Sequence, residues 1–378
     1  MLTVKASRRE LLDAVSRAAR IAPASSTIDV LRGALLQADG ERKLLTVTAT
    51  NLEIALEQEI PCENIQGEDE LVVNVKLLAG MLGQLDGDSV ELLRLPESNL
   101  LSVKSGRAQY TLPTLDRKQF PNMTMPFPED MIQVSGIASL AKRTVFAVSV
   151  NDTVPLMKCV NLVFTGNGLT AVGSDGVCLV TARGDRSSTG DASFLLPAAS
   201  LDKLARMSSD KDTYRVGTTG KELVFRKEHL SYSARTMEGS YINAKGILGN
   251  LKNAFTVLSD LTEMRDKLHS VIAMDPDGRV RLRFDGSRLL FCSDGIYGKA
   301  SVELTATPLT GHPSGDYWYA AKRLYNSFRA LSGTVTLGIA QNGVLTLSTE
   351  EAFYIQTALR PPASKTEPPA GKPRKTAA

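Results

Sequence analysis

A long internal repeat is the feature that most constrains how this chain of 378 residues folds. Three times, a short apolar strand runs into an amphipathic helix, and aligning Asn74, Pro197 and Ala320 gives two steps of 123 residues each. Each copy also begins with a strand and a helix, and alternating strands follow its second helix. Because a copy of this length can bury its own core, the period indicates a triplicated domain rather than a solenoid.

Within each repeat, strands outnumber helices and most are joined by tight turns, which favours antiparallel sheets with helices on one face. We therefore predict an α+β fold with domains at residues 1–126, 127–250 and 251–360. Residues 361–378 are rich in Pro, Ala and Lys, and we expect them to form a disordered basic tail. The six predicted helices lie near residues 8–21, 74–85, 137–150, 198–209, 261–273 and 320–332.

A turn-prone pair interrupts an alternating strand in each repeat. The pairs are Thr50-Asn51, Ser174-Asp175 and Ser293-Asp294, at steps of 124 and 119 residues. We interpret them as one turn-like element of the ancestral domain, present in each copy.

Several classes of protein are excluded by composition and motif. No apolar run approaches the length of a membrane helix, and the charged N-terminus lacks a signal-peptide core, so we expect a cytoplasmic protein without membrane contact. The four cysteines show no metal-ligand spacing, and we expect reduced thiols, no metal site and no cofactor. The only recurring acidic residues, Asp175 and Asp294, lie in turns where Asp commonly caps its own backbone, so we predict no enzyme activity and no catalytic residue.

Charge is segregated along the chain. The six predicted helices carry an excess of nine basic over acidic residues, whereas residues 1–360 as a whole are neutral. For a single helix, such charges also suit an ordinary solvated face, but the bias extends over five of six helices and favours a surface that binds a polyanion. Contacts would reach phosphates rather than bases, which predicts sequence-independent binding of double-stranded DNA that weakens with salt. The predicted DNA-binding residues are Arg9, Arg17, Arg20, Lys76, Lys142, Arg143, Lys203, Arg206, Lys322, Arg323 and Arg329.

Three stretches carry a family resemblance: "STIDVLRGALLQADG…LTVTATNLEIALEQEIP", "SGRAQYTLPTLDRKQFPNM" and "TAVGSDGVCLVTARG". They resemble the bacterial sliding clamp, the beta subunit of the replicative DNA polymerase. The resemblance covers residues 1 to about 360 and is most specific in the first repeat. It implies a head-to-tail homodimeric ring around duplex DNA, with sheets outside and two helices per repeat lining the hole. It also implies a processivity factor that tethers a DNA polymerase and meets the clamp loader through short peptide motifs.

The resemblance also implies two sets of contact residues. Tyr110 and Leu112 would form one edge of the dimer interface and Val271 and Ile272 the other, although ordinary internal packing would suit them equally. The matched residues of the family's peptide pocket are Met157, Ser174, Gly176, Val177, Cys178, Leu179, Ile242, Ile247, Ile355, Thr357, Leu359 and Arg360.

This pocket departs from the family pattern. The usual His-Arg is replaced by Val177-Cys178, and the usual Phe-Pro-Asp-Tyr by Tyr241-Ile242-Asn243-Ala244. Most replacements are apolar, so we expect a groove with altered partner preference. The alternative function is a clamp-fold scaffold that binds a specialised partner without loading onto DNA.

Overall fold

The computed structural model describes residues 2–94, 98–151, 154–166, 168–184, 191–295 and 298–362. Most of the predicted tail, residues 363–378, lies outside them. The chain folds as two compact units, Met1–Leu248 and Gly249–Ala378. The α+β fold class of three tandem repeats is confirmed, because one order of elements (a strand, a helix, several strands, a second helix and three strands) recurs three times along the chain.

In the first repeat, two helices accompany eight strands. The helices are α1 (Arg8–Ile21) and α2 (Val75–Gly83). The strands are β1 (Thr3–Ser7), β2 (Gly33–Asp39), β3 (Leu44–Thr50), β4 (Ile54–Gln66), β5 (Asp69–Asn74), β6 (Ser89–Arg94), β7 (Leu100–Ser105) and β8 (Ala108–Leu115).

The second repeat has the same order. Its strands are β9 (Ile132–Ser135), β10 (Cys159–Thr165), β11 (Gly168–Ser174), β12 (Cys178–Gly184), β13 (Ala192–Pro197), β14 (Thr213–Thr218), β15 (Glu222–Lys227) and β16 (Leu230–Arg235). Its helices are α3 (Ile137–Thr144) and α4 (Ala198–Ala205), and a short helix, α5 (Ala244–Gly249), follows β16. Short 3-10 helices lie at Asp29–Arg32, Arg117–Gln119, Val145–Ala147 and Pro155–Lys158.

The third repeat has one additional strand. Its helices are α6 (Leu261–Ile272) and α7 (Ala321–Ala330). Its strands are β17 (Asn253–Asp260), β18 (Arg279–Asp285), β19 (Arg288–Gly295), β20 (Gly298–Thr305), β21 (Thr307–Thr310), β22 (Ser314–Ala320), β23 (Thr334–Ala340), β24 (Leu345–Ser348) and β25 (Ala352–Gln356).

The described strand pairings are antiparallel. In the first unit, one sheet has the order β1-β6-β7-β8-β5-β2-β3-β4-β16-β15-β14-β9, and β1 also pairs with β4. The strands β13-β10-β11-β12 are joined in that order. In the second unit, β21-β17-β23-β24-β25 and β20-β19-β18-β22 form two further series. The β4–β16 pairing joins the first two repeats, so their sheets are continuous.

The helices pack in pairs through their apolar sides. Contacts join α1 to α2, α3 to α4 and α6 to α7. Asn74, Pro197 and Ala320 are the N-cap residues of α2, α4 and α7, so the alignment made from sequence joins equivalent positions. Only Asn74 caps with its side chain, accepting from the Leu77 amide at 3.2 Å.

Two local predictions were wrong. The helix predicted over 137–150 ends at Thr144, whose hydroxyl donates to the Leu140 carbonyl oxygen at 2.6 Å, and a 3-10 turn follows. The third turn does not fall at Ser293-Asp294, which lie inside β19. In the β19–β20 hairpin, Ser293 pairs with Ala300, seven residues later in the chain. In the β3–β4 hairpin, the corresponding Thr50 pairs with Ala55, only five residues later. The third hairpin is therefore longer than the first by one residue on each strand.

Candidate nucleic-acid interface and partner-binding groove

The first helix separates a buried apolar side from an exposed charged side. Leu11 and Val15 on α1 are fully buried, whereas Arg9 and Arg20 are exposed. Arg17 is half-buried and donates to the Gln58 side-chain oxygen at 3.1 Å. Of the three arginines predicted on α1 to bind DNA, two are therefore exposed and the third is engaged with β4.

The second helices of the first two repeats bring cations close together. Lys76 on α2 is exposed and Lys203 on α4 is half-buried. Burial lowers the pKa of Lys203, the carboxylate of Glu53 opposes this shift, and the positive charge of Lys76 adds to it. Lys76 and Lys203 are thus close enough to repel each other. Like charges from successive repeats favour a nearby anion.

The remaining basic residues of the first unit differ in their surroundings. Lys142 on α3 is exposed and Arg143 is half-buried. Arg206 follows α4 and forms an ion pair with Asp202 at 2.7 Å, one helical turn earlier. Arg206 is therefore less available to phosphate than Lys142.

In the second unit, aromatic rings accompany the basic residues. Lys322 on α7 forms an exposed ion pair with Asp277 at 3.0 Å, and Arg323 is exposed. The guanidinium of Arg329 lies 5.9 Å from the centroid of the Tyr325 ring. Tyr325 also stacks on His269 of α6, with centroids 5.3 Å apart. This stack was not predicted from sequence, because the two residues lie far apart in the chain.

The β11–β12 turn, which is predicted to line the peptide pocket, is fixed in place by hydrogen bonds of Tyr241. Its hydroxyl donates to the Cys159 carbonyl oxygen at 2.9 Å and accepts from the Ser174 amide at 3.1 Å. From sequence, Tyr241 stands out only as a departure from the family pattern. Its hydrogen bonds show that it positions the turn.

The other pocket residues of the first unit lie around this turn. Cys178 and Leu179 are buried, Met157, Val177 and Ile242 are half-buried, and Gly176 and Ile247 are exposed. The unpredicted helix α5 carries Ile247, whose amide donates to the Asn243 carbonyl oxygen at 3.1 Å.

The pocket residues predicted in the second unit follow one another at the end of β25. Ile355 is buried, Leu359 is half-buried, and Thr357 and Arg360 are exposed. The Leu359 amide donates to the Trp318 carbonyl oxygen at 2.7 Å, and the Arg360 carbonyl oxygen accepts from Arg279 at 3.0 Å. This segment is therefore anchored to β22 and β18.

The residues predicted for the dimer interface are mostly internal. Leu112, Val271 and Ile272 are 3%, 0% and 7% exposed, so they pack within the chain's own core. Tyr110 is half-buried on β8. That strand pairs with β7 along its length but with β5 only near its end, at Leu115 and the residue before it. The first part of β8 therefore has an edge that β5 does not pair.

Metal chemistry receives no support from the described side chains. Within the described ranges, no three His, Cys, Asp or Glu residues are grouped so that they could hold a metal ion. The cysteines are free thiols, and burial raises the pKa of Cys62 and of Cys159 to about 11, which makes them poor nucleophiles. None of the helices in the described part of the chain is long and apolar enough to span a membrane.

Comparison with solved structures defines the class of fold. The DNA polymerase III beta subunit of Thermotoga maritima superposes with a TM-score of 0.86 at 18% identity, covering 96% of this chain and 100% of that one. A putative DNA polymerase III beta subunit from Eubacterium rectale superposes with a TM-score of 0.85 at 15% identity, covering 95% of this chain and 100% of that one. The chain therefore has the sliding-clamp fold.

Sequence comparison finds relatives of the same type. The model of the DNA polymerase III beta subunit, N-terminal domain, matches residues 2–124. The beta sliding clamp of Synechococcus elongatus is 24% identical over 341 residues, which is 86% of this chain and 89% of the relative. That of Lactococcus lactis is 23% identical over 294 residues, 73% of this chain and 77% of the relative. The family model therefore covers the first repeat, and over most of its length the chain is similar to beta sliding clamps.

Proposed function

We propose that the chain forms a head-to-tail homodimeric ring around duplex DNA and tethers a DNA polymerase as a processivity factor. The observation that carries this proposal is the separation of surfaces on the paired helices, whose apolar sides are buried and most of whose predicted DNA-binding residues are exposed. Cations distributed over several helices would hold phosphates without reading bases.

Ring closure would use the part of β8 that β5 does not pair. Such an edge presents backbone groups that a strand of a second copy can pair with. Tyr110 lies on this segment. Because Val271 and Ile272 are buried, we propose that they support the α6 side of the interface from within and that exposed neighbours make the contact.

The turn held by Tyr241 is proposed to receive partner peptides. Its half-buried apolar side chains, Val177 and Ile242 among them, suit the apolar residues of a short segment from a polymerase or a clamp loader. The replacements at this turn favour a partner preference different from that of an ordinary clamp. Cytoplasmic location follows from a role on chromosomal or plasmid DNA.

Retention on circular DNA tests the proposal. Clamp loaded by a clamp loader onto a nicked plasmid should remain bound through gel filtration in moderate salt and should be lost after the plasmid is cut once. Light scattering should give about twice 40.7 kDa. A stable monomer that is not retained on the circle would instead favour the non-loading scaffold.

A further inference from the structure

Four hydrogen bonds from two side chains hold the β3–β4 turn of the first repeat. The Thr50 hydroxyl donates to the Ile54 carbonyl oxygen at 2.8 Å and accepts from the Leu52 amide at 2.9 Å. The Asn51 side-chain oxygen accepts from the amides of Glu53 and Ile54 at 3.1 and 2.8 Å. Side chains of this type fix the backbone of a tight turn.

The β11–β12 turn of the second repeat has the same four bonds. The Ser174 hydroxyl donates to the Cys178 carbonyl oxygen at 2.7 Å and accepts from the Gly176 amide at 3.1 Å. The Asp175 carboxylate accepts from the amides of Val177 and Cys178 at 2.9 and 2.8 Å. The two turns are equivalent, position by position.

One position differs in a way that costs conformational energy. Leu52 has a φ of 74° where Gly176 has 82°. Glycine adopts this backbone readily, whereas a leucine is strained there. Leu52 is 48% exposed, so burial in the core does not compensate for the strain. Backbone strain of this kind concentrates at binding sites.

Leu52 lines a cavity of about 260 Å³ within the first unit. The turn forms one wall, and the segment 121–126, which runs from the first repeat to the second, forms another. Glu222, Ser233 and Arg235 of β15 and β16 complete the lining. The Arg235 amide donates to the Glu53 carbonyl oxygen at 3.0 Å, so the turn and β16 form a continuous rim.

The wall formed by residues 121–126 combines a restricted backbone with side chains that can adjust to the shape of a ligand. Its sequence is Pro-Asn-Met-Thr-Met-Pro. The terminal prolines restrict the backbone, while Met123 and Met125 supply adaptable apolar side chains. The cavity is smaller than a typical pocket for a drug-sized ligand and has the scale of one or two aliphatic side chains.

From these observations we propose that the first repeat carries a second peptide-docking groove, equivalent by internal symmetry to the turn of the second repeat and centred on Leu52. The location of this groove rests on the cavity and the turn, and only the class of occupant, a short peptide, rests on the proposed function. The occupant is an extended segment of a partner protein with two aliphatic side chains on one face and a basic residue beside them.

The charge of the lining selects the basic residue. Two acidic residues, Glu53 and Glu222, and one arginine, Arg235, are among the residues that line the cavity. Glu53 also attracts Lys203 of α4. The Glu222 carboxylate accepts a hydrogen bond from the Ser233 hydroxyl at 3.0 Å. Because this donor is neutral, the contact does not compensate the negative charge of Glu222. A lysine or arginine of the peptide would therefore pair with Glu222.

Methionine methyl NMR on the full chain tests the groove. The probe is a blocked pentapeptide with leucines at its first and third positions and a lysine at its fifth, so that all three side chains share one face when the peptide is extended. Resonances of Met123 and Met125 report on the first-repeat groove, and that of Met157 reports on the second-repeat turn. We expect saturable shifts at Met123 and Met125, with affinity weaker by at least about fivefold in Leu52→Gly.

Two controls separate binding from folding and charge. Leu52→Gly removes the strain at this φ, which stabilises the folded state, but glycine also raises the backbone entropy of the unfolded chain. Because the two effects oppose each other, the Tm of the variant should stay within about 2 °C of the parent. Leu77→Ala removes an exposed leucine from α2 and should leave the affinity unchanged. The same pentapeptide with glutamate in place of lysine should bind more weakly.

The outcomes distinguish the inference from the proposed function. Shifts at Met157 alone would overturn the second groove and leave the second-repeat site standing. Shifts at Met123 and Met125 without Met157 would support the groove and count against the second-repeat site. Unchanged affinity in Leu52→Gly, or equal binding of the glutamate peptide, would overturn the assignment of Leu52 or of the basic residue.

Discussion

The hydroxyl of Tyr241 accepts the amide of Ser174 at 3.1 Å and donates to the Cys159 carbonyl oxygen at 2.9 Å, so one side chain joins the segment after β16 to two strands. Tyr241→Phe would leave both backbone groups without this partner. We expect a loss of about 1–3 kcal/mol in the free energy of unfolding, measured by urea denaturation. As a control, Tyr110→Phe at a half-buried strand position should change the free energy of unfolding little. Equal losses in the two variants would contradict the role assigned to Tyr241.

The same tyrosine predicts a dependence of stability on alkaline pH. Burial raises the pKa of Tyr241 to about 12, above the ordinary value near 10. Below pH 10 the phenol is neutral in both states, and its contribution to stability is complete. Between pH 10 and 12 only the unfolded state ionises, so stability should fall by about 1.4 kcal/mol per unit as pH rises. Tyr241→Phe should fall less steeply over that window, and parallel curves for the two proteins would refute this.

DNA binding should depend on salt through the helices rather than the sheets. In Arg20→Glu with Lys142→Glu, two exposed cations of α1 and α3 are reversed. We expect weaker binding to a duplex at low ionic strength. The slope of log affinity against log salt should fall in magnitude by about 0.9 for each phosphate that the variant no longer neutralises.

A matched pair on the sheet controls for net charge. Arg215→Glu with Lys221→Glu makes the same change at exposed positions on β14 and in the turn after it. Binding by this variant should stay close to that of the parent. Equal weakening by both variants would mean that total charge, not the helical surface, governs the interaction.

How far the sequence predicted the structure depends on whether each feature is local. The caps of α2, α4 and α7 followed from periodicity, because a strand-to-helix junction is encoded by adjacent residues. The early end of α3 did not. Thr144 lies against β11, where a Cβ on Gly173 would be 2.5 Å from the Thr144 carbonyl oxygen, and this contact depends on tertiary packing.

The candidate site residues also divide into features visible in the sequence and features that depend on tertiary packing. The bias of basic residues toward helices was visible in composition, and the structure adds which members are exposed, such as Arg9, and which are engaged, such as Arg206. The positive φ of Leu52 could not be predicted, because leucine does not signal that conformation. Burial of Val271 depends on the packing of α6, which the spacing of its apolar residues leaves open.

Closure of the ring should be sensitive to a charge on the part of β8 that β5 does not pair. Tyr110→Lys places an ammonium group on that segment, and lysine is a residue that discourages edge-to-edge pairing. Light scattering should then give a mass near 40.7 kDa, whereas the parent is expected to give about twice that value. Thr213→Lys on β14, also an exposed strand position, should remain dimeric.

Two glycines test the packing of the first unit in opposite directions. A Cβ at Gly173 would meet the Thr144 carbonyl oxygen at 2.5 Å, and backbone cannot move aside cheaply, so Gly173→Ala should destabilise by roughly 1–3 kcal/mol. Gly80 lies inside α2 with nothing within 4 Å of such a Cβ. Gly80→Ala should therefore stabilise by about 0.5–1 kcal/mol, because alanine loses less backbone entropy in a helix. Urea denaturation of both variants gives the sign of each change in the free energy of unfolding. Stabilisation by Gly173→Ala would show that β11 does not pack this closely on the end of α3.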